Sequence, residues 1–106
     1  MYSIVSTAIV HGIDSIPVQV EADVSNGMPY FEMVGFLGAE VKEAKERVRT
    51  ALRNAGYLLP AKRITVNLSP ASVRKSGSAF DLPITVALMA ALEIVAKENT
   101  ADILVV

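Results

Sequence analysis

The sequence contains no cysteine, so it can form neither disulfide bonds nor thiolate zinc sites. Its one histidine, His11, has no second imidazole and no tight acidic cluster to help it hold a metal, so we predict no metal site. Neither Gly-x-x-x-x-Gly-Lys-Ser/Thr nor Gly-x-Gly-x-x-Gly occurs, which excludes both common glycine-rich phosphate loops from these 106 residues.

The sequence has little net charge, because ten lysines and arginines nearly balance eleven aspartates and glutamates. A generally basic nucleic-acid binder is therefore excluded, although a local basic patch is not. No basic and apolar leader opens the chain, and the unbroken apolar run from Val86 to Leu92 is far short of the roughly 20 residues that span a bilayer. We expect a cytoplasmic globular domain without a membrane partner.

Alternation of apolar and polar residues predicts several strands. The first two should pair as a hairpin around the turn from His11 to Asp14. The predicted strands cover Tyr2 to Val10, Ser15 to Val24, Tyr30 to Phe36, Lys62 to Leu68 and Ala101 to Val106. Because the last strand is apolar and ends the chain, we expect residues 1–106 to be a single domain excised from a longer protein.

Two segments have a helical pattern. The first runs from Ala39 to Ala55 and is followed by Gly56, which suits a left-handed helix cap. The second begins at Asp81, expected to cap its free N–H groups, with Pro83 in its first turn, and is apolar on nearly all sides. That helix should be buried and should run on to Ala96, with a small-residue face toward the sheet. The order β-β-β-α-β-α-β predicts an α+β fold with helices packed on one mixed sheet, although the strand order does not follow from the pattern.

Charged residues define two further expectations. On the first helix Glu43 and Arg47 are placed to pair at i, i+4, and the charge-rich face around them is best interpreted as solvated. Near the fourth strand, four cations form a candidate patch for nucleic-acid phosphates or a partner protein, although loop solubility explains them equally well. These are Lys62, Arg63, Arg74 and Lys75.

Ser78 is the candidate nucleophile, in a loop whose Gly77 we interpret as structural. A serine nucleophile needs a base held within about 3 Å. Lys75, as a solvated loop residue, is expected to stay protonated, and nothing in the sequence places His11 nearby. The favoured interpretation is that the serine hydroxyls of this loop satisfy backbone N–H groups.

Several motifs resemble the N-terminal domain of the magnesium-chelatase-like AAA+ ATPases, the ComM/YifB family. They are Val41-Lys-Glu-Ala-Lys-Glu-Arg-Val-Arg-Thr-Ala-Leu, Pro60-Ala-Lys-Arg-Ile-Thr-Val-Asn-Leu-Ser-Pro and Phe80-Asp-Leu-Pro-Ile, together with Ser25-Asn-Gly-Met-Pro. The resemblance implies a ribosomal protein S5 domain 2-like fold, which is also that of the proteolytic domain of Lon.

In that family the domain precedes an AAA+ motor, so ATP and magnesium are implied for the parent protein and no cofactor for this fragment. The implied partners are the protein's own motor domain, the neighbouring subunits of a hexamer, and DNA. ComM-type members resemble DNA branch-migration helicases used in bacterial natural transformation. We therefore predict a non-catalytic accessory domain that mediates subunit or DNA contact. The alternatives are an atypical Lon-like serine hydrolase and a pure oligomerisation module.

The similarity to Lon also bears on catalysis. Lon-like proteases carry a Lys-Asp-Gly-Pro-Ser-Ala-Gly run, and placing it on Lys75 to Asp81 puts the nucleophilic serine at Ala79. Ser78 becomes the nucleophile only after a one-residue slip, and the partner lysine would lie beyond Val106. The resemblance therefore implies that this fragment has no protease activity.

Overall fold

In a computed structural model of the chain, the described strands form one mixed sheet. The structure describes residues 2–11, 14–75, 77, 79–92 and 104–105. The strands are β1 (Tyr2–His11), β2 (Asp14–Ser25), β3 (Tyr30–Val34), β4 (Arg63–Ser69) and β5 (Leu104–Val105). Their order is β3-β4-β2-β1-β5, with β4 antiparallel to β2, β2 antiparallel to β1, and both edge strands parallel to their neighbours. The predicted α+β class is confirmed.

The β1-β2 hairpin forms as predicted, in a register that runs from the Tyr2–Asp23 pair to the His11–Asp14 pair. The turn residues 12 and 13 lie outside the described part of the chain. The predicted alternation of inward and outward residues is also observed, because one face of each central strand is buried. These inward residues are Val18, Val20, Ala22 and Val24 on β2, and Ile64, Val66 and Leu68 on β4.

The first predicted helix consists of two pieces, α1 (Ala39–Lys42) and α2 (Ala44–Asn54), separated only by Glu43. At this residue the backbone hydrogen bond spans three residues instead of four, since the Glu46 N–H donates to the Glu43 carbonyl at 3.2 Å. One apolar stripe still continues through both pieces, and its buried members are Val41, Ala44, Val48 and Leu52. Helical spacing also predicts Ala51 and Ala55 on this stripe, but both are exposed, so the buried stripe is narrower than predicted.

Gly56 ends α2 in the manner expected from the sequence. Its φ of +93° is the left-handed conformation that glycine adopts at little cost. The Tyr57 N–H donates to the Leu52 carbonyl at 2.8 Å, and the Gly56 N–H donates to the Arg53 carbonyl at 3.0 Å. These two bonds form a Schellman motif, which satisfies carbonyl groups that the helix itself leaves unpaired.

The last described helix, α3 (Asp81–Ala91), packs against β1 and β2. Ala87, Ala90 and Ala91 are fully buried, as the predicted small-residue face requires. Pro83 is also buried in the first turn, where its missing N–H removes no intrahelical bond. The predicted extension to Ala96 falls outside the described residues.

The expected capping role of Asp81 is wrong. The N-cap position belongs to Phe80, which has helical backbone angles, and no side chain caps the helix. Asp81 is already a helical residue, so its carboxylate is not placed to accept the first-turn N–H groups. It binds Arg47 instead, through contacts described below.

Helices α1, α2 and α3 cover the same face of the sheet, where their apolar residues and the inward residues of the strands form one core. The opposite face is open and mainly polar, and β3 lies at the edge of the sheet. Within the described ranges, no helix is both long and apolar enough to cross a membrane.

Candidate functional site

The four cations predicted to form one patch are separated in the structure. Lys62 lies just before β4 and Arg74 follows its far end, so the length of the strand, about 23 Å, stands between them. The Arg63 side chain is exposed on the open face of the sheet, opposite to the buried Ile64. Lys62, Arg63 and Arg74 therefore occupy three different regions of the surface.

Lys75 is not the solvated loop residue that the sequence suggested. It has no exposed surface, and its Nζ donates a hydrogen bond to the Pro70 carbonyl. Its backbone pairs with the segment before α1, accepting from the Gly38 N–H at 2.7 Å and donating to the Phe36 carbonyl at 2.8 Å. Burial lowers the pKa of the Lys75 amine below its ordinary value of 10.5. The ammonium group thus faces the backbone of its own loop.

Lys62 instead joins two cations from α2, Lys45 and Arg49, along a groove of about 430 Å³. Lys45 and Arg49 are four residues apart and therefore lie on the same face of the helix. The Tyr30 N–H donates to the Lys62 carbonyl at 3.3 Å, which ties the segment before β4 to the start of β3. The remaining lining residues are Pro29, Tyr30, Phe31, Glu46, Leu59, Pro60 and Ile64. We call this feature the cationic groove.

The cationic groove has an excess of positive charge, with three cations and one carboxylate among its lining residues. Glu46 contacts the Arg49 Nη1 at 3.4 Å. Lys45 and Lys62 form no ion pair with any residue that the structure describes. Two of the three cations are therefore available to an anion, and phosphate oxygens are acceptors of the kind that lysine ammonium groups bind.

Arg49 is held more firmly than the two lysines. Its guanidinium carbon lies 5.7 Å from the centre of the Phe31 ring, a distance at which a cation and an aromatic face attract each other. Phe31 is itself buried under this contact. With Glu46 at one edge and Phe31 beneath it, the Arg49 side chain remains 44% exposed.

A second charged contact joins the helices and has a structural role. The Arg47 Nε donates to Asp81 Oδ2 at 2.6 Å and Nη2 donates to Oδ1 at 3.0 Å, so the pair is bidentate. Nη2 also donates to the Glu40 carbonyl at 2.6 Å. Arg47 thus pairs with Asp81 rather than with Glu43, the partner expected from helical spacing. The hydrogen bond to Asp81 raises the pKa of this guanidinium, which stays charged.

The open face of the sheet contains a polar hollow of about 450 Å³ that includes Arg63. In this hollow Glu21 and Asp23 outnumber the single guanidinium, so it is a poor site for phosphate. Desolvation of the phenol raises the pKa of Tyr2, and the nearby Glu21 carboxylate raises it further.

The remaining sequence candidates are only partly located. Ser78 and the side chain of His11 lie outside the described residues, so the predicted roles of both stay predictions. Gly77 has a φ of +81° in the loop that leads to α3. Among the side chains that the structure describes, no three carboxylates or imidazoles come together as metal ligands would.

Comparison with known families adds a finding that the geometry alone does not supply. The family model described as subunit ChlI of Mg-chelatase matches residues 20–106. The chain belongs to the ChlI family. The cationic groove lies within the matched region, since its lining residues run from Pro29 to Ile64.

Individual proteins are also similar to this chain over most of its length. YifB of Salmonella typhimurium is 48% identical over 99 residues, which cover 89% of this chain and 20% of the relative. YifB of Escherichia coli is 50% identical over 91 residues, or 86% of this chain and 18% of the relative. Competence protein ComM of Haemophilus influenzae is 50% identical over 91 residues, which cover 81% of this chain and 18% of the relative. The chain thus spans about a fifth of the length of these relatives.

Sequence reasoning missed two of the three cations in the groove of this ChlI-family domain. The sequence places Arg49 on a charge-rich helix face that is best interpreted as solvated, and it does not single out Lys45. Their i, i+4 spacing was the available signal, since it places two cations on one helix face. That Lys62 completes the group depends on the contact between β3 and the segment before β4.

Proposed function

We propose that this ChlI-family domain is a non-catalytic accessory domain that contacts DNA phosphates through the cationic groove. The observation that carries the proposal is the convergence of Lys45, Arg49 and Lys62 from two separate segments on one groove. Phosphate contacts of this kind bind nucleic acid without reading its sequence. One relative is a competence protein, and competence is the uptake of DNA, which supports a nucleic-acid ligand.

In this proposal the domain serves a larger AAA+ ATPase of the type to which the sequence is similar. The motor domain and the neighbouring subunits are its protein partners, and the motor, rather than these residues, binds ATP and magnesium. The role we propose for the domain is to hold a DNA strand while a ComM-type motor migrates a branch. A groove that binds the backbone without reading bases suits that task, because the sequence under the motor changes continually.

The absence of catalysis is also part of the proposal, and Lys75 bears on it. A buried lysine with a lowered pKa is the kind of base that a serine hydrolase needs. In this domain, however, the amine already donates to the Pro70 carbonyl and would have to leave that bond to take a proton from Ser78. A serine-directed fluorophosphonate probe should therefore leave the chain unmodified, and rapid acylation of Ser78 would favour the Lon-like hydrolase alternative.

Salt-dependent DNA binding tests the proposal directly. We expect the affinity of the chain for DNA to fall as salt rises, with each lost phosphate contact reducing the log–log slope by about 0.7 to 0.9. The double variant Lys45→Ala with Lys62→Ala should reduce this slope by roughly two such contacts. Lys42→Ala with Arg74→Ala is the matched control, since it removes two exposed cations outside the groove.

Two results would contradict this function. One is an affinity that does not depend on salt, and the other is an equal loss of affinity in the control and in the double variant. A chain that self-associates in sedimentation experiments but binds no DNA would instead favour the pure oligomerisation module.

A further inference from the structure

The cationic groove contains a planar cation as well as two point charges. Arg49 lies over the Phe31 ring at 5.7 Å, and its Nη1 is 3.4 Å from Glu46. Contact with an aromatic face on one side and a carboxylate at an edge restricts the orientations of a guanidinium group. Because the side chain is still 44% exposed, part of this oriented group is accessible from the groove.

A partly exposed guanidinium plane whose orientations are restricted is a surface on which a nucleobase can stack. The neighbouring walls of the groove suit the same ligand, because Pro29, Leu59 and Pro60 offer apolar surface next to the cations. Phosphate alone needs no such wall. A nucleotide has both an anionic and an apolar part, and its base face is accessible only when it is not stacked inside a duplex.

We propose that the cationic groove is a subsite for single-stranded nucleic acid, in which an unpaired base stacks on the Arg49 guanidinium while Lys45 and Lys62 hold the flanking phosphates. This inference rests on the proposed DNA contact and adds the kind of strand that the site selects. A duplex reaches the two lysines through its backbone but has no free base face for Arg49. The groove therefore favours single strands over duplex DNA.

Oligonucleotides with and without bases test this subsite. We would measure the binding of a labelled oligothymidylate, an abasic strand of the same length and charge, and a duplex of that length, by fluorescence anisotropy. The wild-type chain should bind the oligothymidylate about fivefold more tightly than the abasic strand, because only the former can stack. Arg49→Lys keeps the charge and removes the plane, so it should abolish this difference without changing the affinity for the abasic strand.

Arg53→Lys is the matched control, since it makes the same change at an exposed position on the same helix, outside the groove. It should leave the fivefold preference intact. Equal affinity of the wild-type chain for base-containing and abasic strands would overturn the subsite, as would an Arg49→Lys variant that retains the preference. In either case, binding of the strands that weakens as salt rises would still support the proposed DNA contact. Failure to bind any of the three ligands would remove both.

Discussion

Gly35 should be among the least replaceable surface residues of this domain. It follows the last residue of β3, and a Cβ atom built on it would lie 2.6 Å from the Leu68 carbonyl oxygen of β4. That oxygen belongs to the backbone of a central strand, so it has little freedom to move. The φ of Gly35, +137°, is also one that side chains rarely adopt. Gly35→Ala should therefore destabilise the domain through both a clash and backbone strain.

Gly56→Ala separates these two contributions. Gly56 has a φ of +93°, but a Cβ there would meet no atom within 4 Å. Backbone strain of roughly 1 to 2 kcal/mol, partly offset by the lower entropy of the unfolded chain, predicts a net destabilisation of about 0.5 to 1 kcal/mol. At Gly35 the clash adds about 1 to 3 kcal/mol, the usual range for overpacking, so we expect a total of about 1.5 to 4 kcal/mol.

Equilibrium urea unfolding followed by far-ultraviolet circular dichroism measures both variants. We expect their midpoints to fall in the order wild type, Gly56→Ala, Gly35→Ala, with an unchanged dependence on urea. If the two alanine variants differed by less than about 0.5 kcal/mol, the error expected from such extrapolations, the close approach of Gly35 to β4 would be refuted.

Three further predictions concern the groove, the core and the buried lysine. Glu46→Gln removes the one carboxylate of the cationic groove, so it should tighten DNA binding severalfold at low salt. Because this gain in affinity is electrostatic, it should disappear at high salt, and a gain that persists there would contradict the explanation. Leu88 has no exposed surface, so Leu88→Ala should lower the free energy of unfolding by about 3 to 5 kcal/mol. A loss of less than about 1 kcal/mol in urea unfolding would contradict the place of Leu88 in the core. Lys75→Met should change how stability depends on pH. Since burial lowers the pKa of Lys75, unfolding takes up a proton between the folded pKa and 10.5, so wild type should gain stability relative to the variant as pH rises through that window. Parallel pH profiles for the two proteins would show that Lys75 is not desolvated.

Local features of the fold could be predicted from the sequence because each depends on neighbours in the chain. The alternation of Ile64, Val66 and Leu68 identifies the buried side of β4 whatever strands lie beside it. Gly56 could be recognised as a cap because the helical pattern ends just before it. The sequence predicted β3 to extend to Phe36, whereas the strand ends at Val34. The close approach of Gly35 to β4, immediately after that strand, is a contact with a distant residue and leaves no local signal.

The roles of the charged residues could not be predicted in the same way. Asp81 looked like a cap until a residue 34 positions away, Arg47, proved to be its partner. Lys75 looked solvated because its loop is polar, but pairing of that loop with the segment before α1 encloses it. Both errors have one cause. The local sequence shows which side chains are charged, but it does not show which backbone groups or opposite charges they contact in the folded chain.

The sequence by itself determined the class of the fold, the inward face of each central strand, the buried small-residue face of α3 and the membership of the family. Hydrophobic periodicity and turn residues are local properties, so they survive without knowledge of the strand order. The tertiary structure alone decided which cations come together. By placing β4 between β2 and β3, it brings Lys62 beside the start of β3 and leaves Arg63 on the other face of the sheet. Electrostatic sites depend on distances in space, and strand order sets those distances.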